Sequence, residues 1–105
     1  MTGAAVATGV LVVTATLAAG CAAVGGAAIR SAQVTATADS AALAAADAAI
    51  GIVGGVPCER AAQVVASASL DLASCELAGV VATVEVAGSV GVFRVQARAR
   101  AGPPA

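Results

Sequence analysis

From Thr2 to Ile29 the chain contains no ionisable side chain. As an α-helix this stretch would extend roughly 42 Å, more than the hydrocarbon core of a bilayer, which is about 30 Å thick. Many of its residues are Ala or Gly, and small residues let membrane helices approach one another closely. The stretch therefore predicts a membrane-spanning helix that packs against other helices. A buried Ala-rich helix of a soluble protein is the alternative.

The composition also indicates that a soluble core is not the whole source of stability. Of the 105 residues, 32 are Ala and 17 are Val, and the one aromatic residue is Phe93. Charged residues make up 10% of the chain, against about 25% in typical soluble domains. A core of Ala and Val gains little at about 25 cal/mol per Å² buried. We therefore expect a bilayer, a disulfide or neighbouring subunits to contribute.

Cys21 admits two interpretations. Residues 18–21 (Ala-Ala-Gly-Cys) resemble a lipoprotein cleavage site, which would make the protein an exported lipoprotein or a secreted partner-binding protein, acylated or cleaved near Cys21. However, no Lys or Arg precedes the apolar run, and Ala18 stands where Leu is usual. In the other interpretation Cys21 is a small apolar residue of a membrane helix.

The helical pattern continues beyond Arg30, the first charged residue. Residues 30–50 contain no Pro or Gly, and Ala, the best helix former, predominates among them. One continuous helix from about Ala4 to Ile50 is predicted. A stripe of polar residues follows one face of its second half, and Asp39 lies on the opposite face. Residues 1–50 thus form a membrane-anchoring long helix, and residues 51–57, rich in Gly and ending in Pro, form a hinge. The stripe contains Arg30, Gln33, Thr37, Ser40 and Asp47.

Residues 58–105 are predicted to form a small head. Pro57 and Glu59 suit the first turn of a short helix that ends near Ser67. Alternating apolar and polar residues then predict strands at about 72–77, 80–86 and 92–99, with turns at 78–79 and 88–91. The expected fold class is α+β: a long N-terminal transmembrane and extended helix, then a short helix on a three-stranded antiparallel meander.

Cys58 and Cys75 lie on the short helix and the first strand of this head. A disulfide closing the 16-residue loop between them would stabilise the head by about 3 kcal/mol. Two free buried thiols are the alternative. Zinc is not expected, because the chain has no His and two thiolates do not complete a tetrahedral site. A disulfide would place the head outside the cytoplasm, although Arg30 alone would favour the opposite orientation.

The residue types and the net charge of the sequence give little support to catalysis or to nucleic-acid binding. Without His, Lys, Tyr or Trp, the chain cannot build a Ser-His-Asp triad, a Schiff-base site or a P-loop. The net charge of −1 gives no basic excess for phosphates. Arg94, Arg98 and Arg100 share one strand face, either as a site for anionic lipid or an acidic partner or as a solvated row balanced by Glu85. We expect no enzyme activity, no cofactor and no nucleic-acid partner.

The layout of the chain resembles the TadE-like proteins of tight-adherence (Tad/Flp) pilus systems, in particular the short ones of high-GC Gram-positive bacteria encoded near helicase and secretion genes. The resemblance covers nearly the whole chain and depends on the order and spacing of its pieces. They are Gly3 to Val6 opening the apolar helix, Arg30 with Gln33, Ala38 to Ala46, Pro57 and Cys58 with Cys75, and Ala97 to Pro103.

This resemblance implies a minor pilin or pseudopilin, a non-enzymatic subunit anchored in the cell membrane by a single span with its head outside. Its long helix would contact other Tad pilus or secretion subunits, or further copies of itself, through Arg30, Gln33 and Asp39. A solvated helix charge is the alternative for Asp39. Because Thr8 stands where a pilin cut after Gly3 would carry Glu, an accessory membrane subunit fits the residues equally well.

Overall fold

A computed structural model describes residues 2–104 and contains two helices and three strands. The predicted α+β class is confirmed. The longest dimension is 75 Å, close to the roughly 72 Å expected of a helix as long as α1. The rest of the chain therefore lies beside α1 and not beyond its end. The elements are α1 (Thr2–Ala49), α2 (Pro57–Ser67), β1 (Asp71–Ala78), β2 (Val81–Val90) and β3 (Phe93–Ala101).

The two halves of α1 have different surroundings. Residues 2–29 are exposed along their whole length, whereas residues 30–49 pack against the other elements. The buried side chains recur every three or four positions and so lie on one face of the helix. The second half of α1 is thus part of the folded unit, while the division at the hinge stays a prediction. The buried residues of α1 are Val34, Ala38, Ala41, Ala42, Ala45 and Ala46.

The core lies between this face of α1, the short helix and the sheet. Val65 and Ala61 come from α2, Val84 and Val86 come from β2, and all four are buried. Ala62, the neighbour of Ala61 in α2, is exposed, because the helix turns about 100° between adjacent residues. The large fully buried side chains are all Val. Close contact between small side chains therefore replaces the bulky aliphatic core of an average domain.

Both helices end in the same backbone motif. The residue after the last turn has a positive φ, 81° at Gly51 and 58° at Ser69, and the next amide bonds back to the last turn of the helix, as in a Schellman motif. Gly adopts this conformation freely, whereas a Ser there is strained. The bonds run from Ile52 N to Asp47 O (3.0 Å) and from Leu70 N to Val65 O (3.1 Å).

The sheet has the order β1-β2-β3, with antiparallel neighbours and β2 in the centre. Two-residue turns join its strands at Gly79–Val80 and Gly91–Val92, and in each turn the Gly has a positive φ, as expected at the first central position of a type II′ turn. The prediction of a turn over residues 88–91 is wrong at its first three positions. β2 continues to Val90.

Gly88 explains this difference. It lies within β2, opposite Val95, where the sheet packs closely against α1. A Cβ at this position would lie 2.6 Å from Leu70 Cδ2 and 3.1 Å from Val34 Cγ2. A glycine in a strand can mark such a close approach as well as a turn. Here it allows the sheet to pack against the helix.

Candidate functional site

The most prominent surface is the first half of α1. The most apolar 18-residue window of the helix has a mean hydropathy of 2.0, and none of that window is buried in the protein. The helix is therefore long and apolar enough to cross a membrane. Its large apolar side chains point outward on all sides, which in water would be an unusually large exposed patch. They are Val6, Val10, Leu11, Val12, Val13, Leu17, Val24 and Ile29.

Two hydroxyl groups in this half of α1 are paired within the helix. Thr8 Oγ1 donates to the carbonyl oxygen of Ala4, and Thr16 Oγ1 donates to that of Val12, each at 2.9 Å. A polar group in hydrocarbon must find such a partner, since no water is available there. These two threonines are thus compatible with a lipid environment.

Arg30 marks the junction between the two halves of α1. Its side chain crosses to the sheet, where Nε donates to the Ser89 carbonyl oxygen at 3.4 Å, and its Nη1 donates to Gln33 Oε1, also at 3.4 Å. The structure therefore brings together two of the three predicted assembly residues. Both bonds are long and so weak, and Gln33 remains exposed. The role of the pair in assembly stays a prediction.

Asp39, the third predicted assembly residue, lies apart from this pair. It is exposed, and Leu43, one turn further along α1, is 58% exposed. Residues four apart share a helix face, so a carboxylate and an isobutyl group lie side by side on the outer face of α1. Within residues 2–104, Asp39 makes no salt bridge.

The arginine row on β3 is partly balanced by acidic neighbours. Arg94 Nη2 lies 3.5 Å from Asp71 Oδ2, and Arg98 Nη2 lies 3.4 Å from Glu85 Oε2. Arg100 is opposite Thr83 in the ladder. Both arginines of the salt bridges are more than half exposed, and exposed pairs stabilise a protein by about 1 kcal/mol at most. This geometry favours the solvated row over a binding site.

The cysteines occupy two different environments. Cys58 and Cys75 form the predicted disulfide, with their Cα atoms 5.8 Å apart, so that the first turn of α2 is covalently joined to β1. Cys21 is a free thiol, exposed on the first half of α1. The helix continues unbroken through Cys21. Its acylation or cleavage is not tested by this geometry.

One exposed apolar site was missed in the sequence. Val92 and Phe93, at the turn between β2 and β3, are 94% and 73% exposed. The alternation on β3 places Phe93 on the apolar face with Val95, but the core ends before it. Two adjacent large apolar residues beside a turn glycine were the available signal.

The residues described above form exposed surfaces and one stabilising disulfide. Within residues 2–104 no three His, Cys, Asp or Glu side chains come together as potential metal ligands. The grooves between α1 and α2 are shallow and lined by small or polar side chains such as Ala36, Thr37 and Ala68. Comparisons of the chain with protein-family models, with curated proteins and with solved structures gave no match.

Proposed function

We propose that the protein is a membrane-anchored, TadE-like minor pilin or pseudopilin, a non-enzymatic structural subunit of a Tad-type pilus or secretion assembly. The observation that supports anchoring is the difference between the surroundings of the two halves of α1. Residues 2–29 are exposed and uncharged, while residues 30–49 are packed in the folded unit. One rigid helix thus joins an apolar rod to a folded head.

This arrangement suits a subunit that assembles laterally. A helix with small residues on several faces can exchange lipid contacts for contacts with sister helices, since close backbone approach stabilises helix pairs in membranes. The head lies beside the second half of α1, so the first half remains accessible around its circumference. The partners of the proposal are therefore the bilayer, other Tad subunits and further copies of this chain.

The disulfide supports a head outside the cytoplasm. Cys58 and Cys75 are bonded, and structural disulfides persist in oxidising compartments. Alkylation in SDS lysates of cells, before and after reduction, followed by intact-mass measurement, tests this orientation, because SDS exposes a thiol that the bilayer would otherwise cover. The proposal expects one alkylated thiol, Cys21, before reduction and three after it. Three alkylated thiols without reduction would contradict the proposed location of the head.

Anchoring by α1 is tested in the native host with Cys21→Ala. The variant should remain in the membrane fraction after carbonate extraction, as the parent does, because the apolar side chains of residues 2–29 are still present. Intact mass should show no acyl chain on the parent. Loss of the variant from membranes, together with an acylated Cys21 in the parent, would establish the lipoprotein instead.

Assembly is tested by placing a photo-crosslinking residue at Asp39 on the outer face of α1. Glu76, an exposed acidic residue on β1, provides the matched control position. The proposal expects adducts with other membrane subunits or with a second copy from position 39 and few from position 76. Equal yields from both positions would argue against a specific contact along the helix.

A further inference from the structure

We propose that the turn between β2 and β3 is a second membrane contact, in which Val92 and Phe93 insert into the interfacial layer of the lipid bilayer beside α1. This inference rests on the proposed anchoring of α1, and it goes beyond that anchoring by fixing how the head lies on the membrane.

The direction of β2 brings this turn to the membrane-facing end of the head. Cys58, which follows the C-terminal end of α1 closely in the chain, is bonded to Cys75, and Cys75 lies opposite Val84 of β2. Four residues later, Gly88 lies against Val34. β2 therefore runs antiparallel to α1, from its C-terminal end toward its apolar half.

The turn reaches the level of the last uncharged residues of α1. The three steps from Gly88 to Gly91 cover about 10 Å in a strand, which equals about six or seven residues of helix rise. Counted back from Val34, this places the turn beside about residue 28. The hydrogen bond from Arg30 Nε to the Ser89 carbonyl oxygen, 3.4 Å long, fixes the same alignment.

The chemistry of the turn fits the interfacial layer. Phe93 is the one aromatic residue of the chain, and Val92 is the most exposed of its large apolar residues within 2–104. Interfacial helices bury apolar side chains, Phe among them, about 5–10 Å deep at the headgroup boundary. Arg30 and Arg94 flank the turn, and long arginine side chains can extend to phosphate groups while their stems stay in apolar surroundings.

The second turn of the sheet supplies an internal comparison. Gly79–Val80 has the same residues in the same order as Gly91–Val92, and its Gly has a similar φ, 62° against 58°. It lies at the opposite end of the sheet, and Val80 is only 39% exposed. Position in the molecule, and not the type of turn, therefore distinguishes the two.

The chain contains no Trp or Tyr, so a single tryptophan reports on each turn separately. Val92→Trp and Val80→Trp, in the full oxidised chain, are reconstituted in phosphatidylcholine vesicles with and without brominated acyl chains. We expect Trp at position 92 to emit at shorter wavelength and to lose most of its fluorescence to the brominated lipid. Trp at position 80 should keep a water-like emission and most of its intensity.

Flotation of the same samples separates this inference from the proposed anchoring. If both variants float with the vesicles but position 92 is quenched no more than position 80, the interfacial contact is refuted and the anchoring stands. If position 92 emits at short wavelength without quenching by the brominated lipid, it is covered by protein, which also refutes the contact. If neither variant floats, the anchoring fails and the inference fails with it.

Discussion

Removing the Cys58–Cys75 disulfide should destabilise the folded unit more than any single side-chain truncation in its core. The two cysteines are 17 positions apart, and closing a loop of that length stabilises a protein by about 3 kcal/mol in the chain-entropy model. The double variant Cys58→Ala/Cys75→Ala is preferable to Ser, because both positions are half-buried and a hydroxyl there would need a partner.

The expected loss is large enough to measure in two ways. A change of 1 kcal/mol shifts the Tm of a small domain by about 4–8 °C, so the double variant should melt roughly 12–24 °C lower. Calorimetry of the full chain in detergent micelles measures this shift. Hydrogen exchange of the central strand provides the second measurement, and its most protected amides should exchange roughly 150-fold faster.

Cys21→Ala is the matched control, because Cys21 is an exposed thiol on the first half of α1. It should leave the melting temperature of the folded unit unchanged. If the double variant melts within about 4 °C of the parent, the disulfide contributes little, and packing of the small side chains alone holds the head together. That result would contradict the reasoning that a core of Ala and Val needs a covalent staple.

Three further substitutions probe the packing and can be compared by the same calorimetry. Ser69→Gly should stabilise the protein by about 1 kcal/mol, because it relieves the left-handed conformation after α2 that Gly51 already satisfies after α1; no gain would mean that Ser69 is not strained. Gly88→Val should destabilise it by about 1–3 kcal/mol or more, since a Cβ there lies 2.6 Å from Leu70 Cδ2, and an unchanged Tm would show that the sheet can move away from α1. Arg98→Gln should change the stability by less than about 1 kcal/mol, because its salt bridge is exposed, and a larger loss would point to a role for the arginine row beyond solvation.

Much of the architecture follows from local patterns. The absence of charge before Arg30 and the absence of Pro and Gly from residues 30–49 predict one long helix, because helix propensity acts within a few turns of the chain. The Schellman glycine at 51 and Pro57 mark where α1 ends and α2 begins. Alternation likewise predicts the three strands. These signals are local, so a single sequence suffices to recognise them.

The candidate surfaces were less accessible to sequence reasoning. The polar stripe predicts which face of α1 contains Arg30 and Gln33, but not that Arg30 hydrogen-bonds to the carbonyl of Ser89, 59 positions away. The alternation of apolar and polar residues places Phe93 on the apolar face of β3. It does not show where along the strand that face stops packing against the core. Both depend on how far each element extends past its neighbour, which is a property of packing.

Local patterns in the chain are sufficient to predict the apolar rod, the helix ends, the three strands and the cysteine pair, because propensity, turn chemistry and loop closure act over short separations along the chain. Packing in three dimensions is needed to show that the second half of α1 completes the core, and that Gly88 is a contact and not a turn. It alone set the turn after β2 level with the end of the uncharged helix. Such an alignment depends on contacts between residues far apart in the chain, here the close approach of Gly88 to Val34 and Leu70, and no local pattern encodes it.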